Sequence, residues 1–240
     1  MREKLLLLHG ALGSNVQFAG LKEKLESQFD VFDFNFAGHG GLPIQEPFTI
    51  ERFVQNTLEY LDQSGLSEPV NIFGYSMGGY VALKLALDYP GRANKIITLG
   101  TKFRWNPESA AKDVRMMNPE VIRQKIPAFA DTLRVRHHPE DWKSIMRLTA
   151  EMMTALGEGG SMTREQFNAI DNEVLICIGT EDHMVSIDES AETAGYLKSG
   201  KLKIIEGFKH PLESVDKDLL AEICIEFLHR EIERREIVRS

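Results

Sequence analysis

The sequence predicts an α/β protein: a doubly wound, mostly parallel sheet interrupted once by an all-helical insertion. Three observations carry that reading. Short β-rich runs alternate with longer segments of helical periodicity, the pattern of strands joined by helical crossovers. Several of the runs are almost continuously apolar, as in Leu5-Leu6-Leu7-Leu8 and Val174-Leu175-Ile176-Cys177-Ile178, which suits strands covered on both faces. The alternation then fails over residues 101–168, where no strand is convincing.

Strands are predicted over residues 4–9, 31–36, 70–74, 95–99, 173–179 and 202–206, each bounded by turn-forming residues. Helices are predicted over 16–29, 50–63, 77–89, 187–197 and 215–235. The domain division that follows is a core of residues 1–100 and 169–240 with a helical cap of residues 101–168. Within the cap, Pro107, Pro119, Pro127 and Pro139 separate short helical pieces. Its longest predicted helix, 139–156, puts Trp142, Ile145, Met146, Thr149 and Met153 on one face.

Composition narrows the function classes. The chain has 240 residues, 42% hydrophobic and 27% charged, enough for a sizeable core. Lys and Arg number 28 against 36 Asp and Glu, a formal charge of −8, so a polyanion such as nucleic acid is an unfavourable partner. The cap differs, with 11 Lys and Arg against 9 Asp and Glu, which leaves a small anionic substrate open. The charge-dense end, residues 226–240, reads as a solvated face. Cys177 and Cys224 are too few for a disulfide framework, and no apolar run approaches membrane length, so the expectation is a cytoplasmic protein with no membrane partner. No metal-ligand spacing or dinucleotide fingerprint appears, so neither a metal nor a cofactor is expected. Oligomeric state is not legible.

The chemistry concentrates at the ends of the predicted strands. Gly74-Tyr75-Ser76-Met77-Gly78-Gly79 follows one strand and opens a helix, the G-x-S-x-G nucleophile elbow in its proper setting. A serine nucleophile needs a base, and the base needs an orienting acid. Asp182 lies in the loop after residues 173–179 and His210 in the loop after 202–206, so chain order and position fit a triad of Ser76, Asp182 and His210. His183 neighbours Asp182 on the wrong loop for a base, and His9 and His39 read as structural. The loop His9-Gly10-Ala11-Leu12-Gly13-Ser14 is placed to complete an oxyanion hole from the N–H groups of Ala11 and Met77. Apolar cap residues, among them Phe103, Trp105, Trp142 and Met146, together with Leu12, Tyr75 and Met184, are candidates for contacting substrate. Met116, Met117, Phe129, Met152 and Met153 are further apolar candidates from the cap.

With these motifs in place the chain resembles the α/β-hydrolase fold superfamily, as a compact esterase-like member with a helical cap. The resemblance rests on the elbow, the His9–Ser14 loop, Phe36-Ala37-Gly38-His39-Gly40, Gly179-Thr180-Glu181-Asp182 and Lys209-His210, spread over the body of the chain. It implies a serine hydrolase, a carboxylesterase, acting on a small-molecule carboxylic ester or thioester through an acyl-enzyme. It also implies that the chain starts directly at the strand before the oxyanion loop. Two alternatives share the scaffold: a lyase or C–C bond hydrolase of the menaquinone-pathway type, and a non-catalytic ligand-binding member. Lyase-like members carry an arginine after the elbow glycines, where this sequence has Tyr80. Asn35 and Lys209 depart from the aspartate and glycine usual in relatives, changes that touch loop anchoring.

Overall fold

The computed structural model describes residues 2–229. Six strands form one sheet: β1 (Glu3–Leu8), β2 (Phe29–Asp33), β3 (Val70–Tyr75), β4 (Ala93–Leu99), β5 (Glu173–Gly179) and β6 (Ser199–Ile205), in the order β2-β1-β3-β4-β5-β6. Every pairing is parallel. The order reverses between β1 and β3, and the crevice at the carboxyl ends of strands around such a reversal is where open α/β sheets place ligands.

Helices cover both faces because the strands are apolar on both. Leu5 and Leu7 point into one layer with Phe73, Ile97 and Leu99, beneath α1 (Ala19–Leu25) and α10 (Lys217–His229). Leu6 and Leu8 point into the other with Ile72 and Ile96, beneath α2 (Ile50–Gln63) and α3 (Met77–Asp88). Each such side chain, fully removed from water, contributes roughly 1.5–3 kcal/mol. Both cysteines are free and buried in the α1/α10 layer, and burial pushes the Cys177 thiol up to about 12. Among the described residues no helix is long and apolar enough to cross a membrane.

Between β4 and β5 lie α4 (Pro107–Val114), α5 (Pro119–Lys125), α6 (Pro127–His137), α7 (Trp142–Ala155) and α8 (Arg164–Asn168). Three of the four predicted breaker prolines occupy the first helical positions of α4, α5 and α6, where the missing N–H costs nothing. Asn106 and Asn118 cap two of these starts, accepting from the backbone N–H groups of Ser109 and Val121 at 2.8 and 3.1 Å. The inward face of α7 is the predicted one, with Trp142, Ile145, Met146, Thr149 and Met153 all buried.

Two boundaries differ from expectation. Residues 16–29 form not one helix but a 3-10 turn, Asn15–Phe18, followed by the shorter α1, and Phe29 already pairs with Glu3 in the sheet. Residues 34–36 leave the ladder early because other partners take their groups. Phe34 stacks on Tyr60 at 4.6 Å, and the Phe36 N–H donates to Nε2 of His9 at 3.2 Å. The predicted helix 215–235 starts two residues later, at Lys217, and is described to His229; residues 230–235, and most of the charged 226–240 end, lie outside the described residues.

Candidate active site

Ser76 occupies the single residue between β3 and α3, with φ 52° and ψ −117°. A non-glycine residue in that region is strained, and the surroundings over-determine it. Its N–H donates to the Leu99 carbonyl at 2.8 Å, and its own carbonyl accepts from the Thr101 hydroxyl at 2.9 Å. Gly78 permits the sharp turn in a second way. A Cβ there would stand 2.1 Å from the carbonyl oxygen of Leu8 and 2.7 Å from that of His9, so only glycine lets α3 approach β1.

Asp182 and His210 reach the same place from β5 and β6. The Asp182 Oδ2 to His210 Nδ1 distance is 2.8 Å, and both side chains are largely withdrawn from solvent. Asp182 Oδ1 accepts from the backbone N–H groups of Met184 (2.8 Å) and Val185 (3.0 Å), so the carboxylate is held by three bonds. The Tyr75 hydroxyl donates to the His210 carbonyl at 2.9 Å and fixes that loop against the elbow. Gly100 (φ +60°) lies beneath the pair: a Cβ there would be 3.1 Å from Asp182 Oδ2 and 3.3 Å from His210 Nδ1. Gly100 and Thr101 were not among the expected site residues; a glycine directly after an apolar run was the available signal.

Ser76, His210, Ala11 and Met77 line one cavity of about 50 Å³. Ala11 and Met77 present N–H groups that donate to nothing among the described residues. The loop carrying Ala11 closes as a turn, Gly13 N–H to Gly10 carbonyl at 3.1 Å, with Leu12 at φ 56°. The Leu12 carbonyl accepts from Arg136 Nη1 (2.9 Å) and from His137 (3.2 Å), so α6 grips this loop from above.

His137 belongs to a buried trio. His9 and His39 lie 5.0 Å apart, and His39 and His137 5.6 Å, centroid to centroid. Burial lowers His9 to about 3 and His137 to about 4, and carries His39 well below the ordinary imidazole value. The hydrogen bonds agree with neutral rings. His9 Nε2 accepts from Phe36 N–H and His137 Nδ1 accepts from Gly40 N–H, so protonation at either nitrogen would set donor against donor.

Of the residues expected to contact substrate, Trp105 and Met184 line the cavity. Leu12, Tyr75, Phe103, Trp142 and Met146 do not. Leu12 turns into the core while its carbonyl is gripped by α6, and Tyr75 is spent on the His210 loop. Phe103 is buried edge-on to Phe167, its N–H held by Glu189 of α9 (Ile187–Tyr196) at 3.0 Å. Trp142 and Met146 belong to the apolar core under the cap helices. The helical stripe that singled them out marks the face that packs, and of its residues Met153, near the carboxyl end of α7, reaches the cavity. Met152 and Met153 line it, while Met116 and Phe129 are exposed on the cap's outer side. Lys102 and Asp113 also line it, and neither stood out in the sequence.

Tyr80 lines the cavity from α3, where lyase-like sequences place a cation. Its hydroxyl accepts from the Met162 N–H at 2.6 Å, tying the elbow helix to the returning end of the insertion, and burial pushes it up to about 12. Tyr80→Phe strands that N–H in apolar surroundings. The expected loss is about 1–3 kcal/mol, read as a lower urea midpoint with an unchanged slope; an unchanged midpoint would show the bond to be idle.

An all-parallel sheet in this order, with a strained serine between its third strand and the following helix, is the architecture of the α/β hydrolases. The chain belongs to the Hydrolase_4 family, described as serine aminopeptidase S33, which it matches over residues 1–218. It is similar to a putative carbamate hydrolase, RutD, of Caulobacter vibrioides, at 24% identity covering 95% of this chain and 90% of that one. It is also similar to the pimeloyl-[acyl-carrier protein] methyl ester esterase of Neisseria meningitidis, at 24% identity over 87% and 86% of the two chains. Among solved structures, a putative lipase from Acinetobacter baumannii superimposes with a TM-score of 0.79 at 18% identity, covering 95% of this chain and 83% of that one.

Proposed function

We propose that this protein is a serine hydrolase that cleaves a small carboxylic ester or thioester through an acyl-enzyme. The observation that carries the reading is that Ser76, on its strained turn, shares a cavity with His210, whose far nitrogen is bonded to a buried aspartate. In the proposed reaction His210 takes the Ser76 proton through Nε2 as the hydroxyl attacks the carbonyl carbon. Asp182 holds Nδ1–H, fixes the tautomer and stabilises the imidazolium. The N–H groups of Ala11 and Met77 receive the charge that develops on the carbonyl oxygen, the second with the N-terminus of α3 behind it. His210 then returns the proton to the leaving alcohol or thiol, and water, activated by the same imidazole, releases the acid.

The helices of residues 101–168 serve as the cap that closes the acyl pocket. The pocket supports an uncharged substrate better than an anionic one. Of the six cap arginines that could attract a substrate carboxylate, Arg104, Arg123, Arg134, Arg136 and Arg147 are each ion-paired to a carboxylate, and neither they nor Arg115 lines the cavity. Relatives named for a carbamate and a methyl ester fit attack on an acyl carbonyl. Free, buried cysteines and an acidic chain fit a cytoplasmic setting.

The test is labelling with a fluorophosphonate probe alongside turnover of short p-nitrophenyl esters and thioesters. Stoichiometric labelling that competes with ester hydrolysis is expected. A folded protein that neither labels nor turns over any ester would end the hydrolase reading and favour a ligand-binding role.

A further inference from the structure

The cavity that holds Ser76 and His210 is apolar along most of its wall, with Ile50, Met153, Leu156 and Val185 among its surfaces. One ion pair interrupts it. Lys102, just after β4, and Asp113, on α4, both line the cavity and meet at 2.6 Å between Nζ and Oδ2. Their side chains are 15% and 8% exposed. The ammonium also lies 4.9 Å from the centroid of the Trp105 ring, and Trp105 lines the same wall.

The pair leaves hydrogen-bonding capacity unspent. An ammonium has three N–H donors, and Lys102 commits one of them to Asp113. Asp113 Oδ1 accepts from no donor among the described residues. As a tie between the β4 exit and α4 the pair is a poor stabiliser, because withdrawing two charges from water offsets most of their attraction. Its chemistry toward a bound molecule is specific, however. An alkyl chain pressed against it would strand a donor and a charged acceptor away from water. A carboxylate would gain the lysine and meet the aspartate. A neutral group that both donates and accepts would satisfy the two together.

We propose that Lys102 and Asp113 form a binding subsite for a hydroxyl or carboxamide on the part of the substrate remote from the scissile carbonyl. Lys102 donates to its oxygen, and Asp113 Oδ1 accepts from its O–H or N–H. The subsite rests on the hydrolase reading of Ser76 and names the class of acyl group that the site selects.

The test uses p-nitrophenyl esters of graded chain length ending in a methyl, a carboxylate or a carboxamide, with the acetate as reference. At the length that reaches the pair, the carboxamide is expected to exceed both others in kcat/KM by about tenfold, the effect of one well-made hydrogen bond. The Lys102→Met/Asp113→Leu double variant, which removes both charges at once, is expected to lose that preference and favour the methyl series. The proposal is overturned if wild type handles the methyl or carboxylate series as well as the carboxamide at every length. It is equally overturned if the preference survives in the double variant. Should that variant fail to fold, the wild-type series decides alone. Acetate turnover and fluorophosphonate labelling separate the two levels: if both persist while the carboxamide shows no advantage, only the subsite is wrong; if both are absent, the hydrolase reading falls and takes the subsite with it.

Discussion

Ser76→Ala is expected to lower kcat/KM on p-nitrophenyl acetate by about four powers of ten or more, while leaving the thermal midpoint within a few degrees of wild type. The size follows from the chemistry assigned to the hydroxyl. Without it His210 has no proton to take and no covalent intermediate forms, so only binding and the Ala11 and Met77 donors remain to assist attack by water. The small change in stability follows from the geometry. Ser76 is held by backbone bonds to Leu99 and Thr101, which alanine keeps, and the positive φ strains alanine as much as serine. Activity within tenfold of wild type would mean that Ser76 is not the nucleophile. Loss of activity accompanied by unfolding would leave Ser76→Cys, which keeps a nucleophile at the same atom, to separate chemistry from structure.

Acid is expected to unfold the protein well before its carboxylates are neutralised. His9, His39 and His137 are held neutral in the fold, at about 3 for His9 and about 4 for His137, against an ordinary value of 6.5. With folded values below the unfolded ones, the unfolded chain binds more protons between these limits. Their contribution is therefore complete above about pH 6.5 and is lost as pH falls toward 4. Each histidine can supply a slope approaching about 1.4 kcal/mol per pH unit, so three together approach about 4. Over the range from pH 7 to 4.5 the loss from His9 and His137 is of the order of 5 kcal/mol, comparable with the whole stability of many domains, and His39 adds in the same direction. Arg136, which faces the trio from α6, adds repulsion in the same direction. Urea midpoints across this range measure the slope. His39→Leu, at the ring whose Nε2 has no partner among the described residues, is expected to flatten it by one histidine's share. Equal slopes in variant and wild type would contradict the assignment.

The acid limb has a functional side. His137 and Arg136 together hold the Leu12 carbonyl, one residue from the Ala11 N–H. Protonating His137 at Nδ1 would break its bond with Gly40 and loosen the grip of α6 on the loop that presents that donor.

Much of this architecture was readable from residue order alone. The all-apolar strands announced a sheet covered on both faces, and β5 and α2 fall where their patterns place them, Glu173–Gly179 and Ile50–Gln63. Ser76, Asp182 and His210 were legible because each sits on a loop at a strand's carboxyl end, where position in the chain implies position in space. What stayed hidden depends on contacts that have no sequence period. The grip of Arg136 and His137 on Leu12 joins residues more than a hundred positions apart. Lys102 and Asp113 look like ordinary helix-flanking charges until the fold withdraws them from water. Trp142 and Met146 illustrate the opposite error. Helical periodicity identifies the face that packs but not which part of it borders the cavity: on α7 Trp142 and Met146 pack into the core, while Met152 and Met153 line the cavity.

The most direct measurement is a rapid acid quench of the protein with excess p-nitrophenyl ester, followed by mass spectrometry of the peptide that spans the elbow. A covalent acyl-enzyme requires that peptide to gain the mass of the acyl group on Ser76, with a burst of nitrophenol equal to the enzyme present when deacylation is the slower step. Turnover with no adduct at any time point under such burst conditions, or an adduct on another residue, would contradict it.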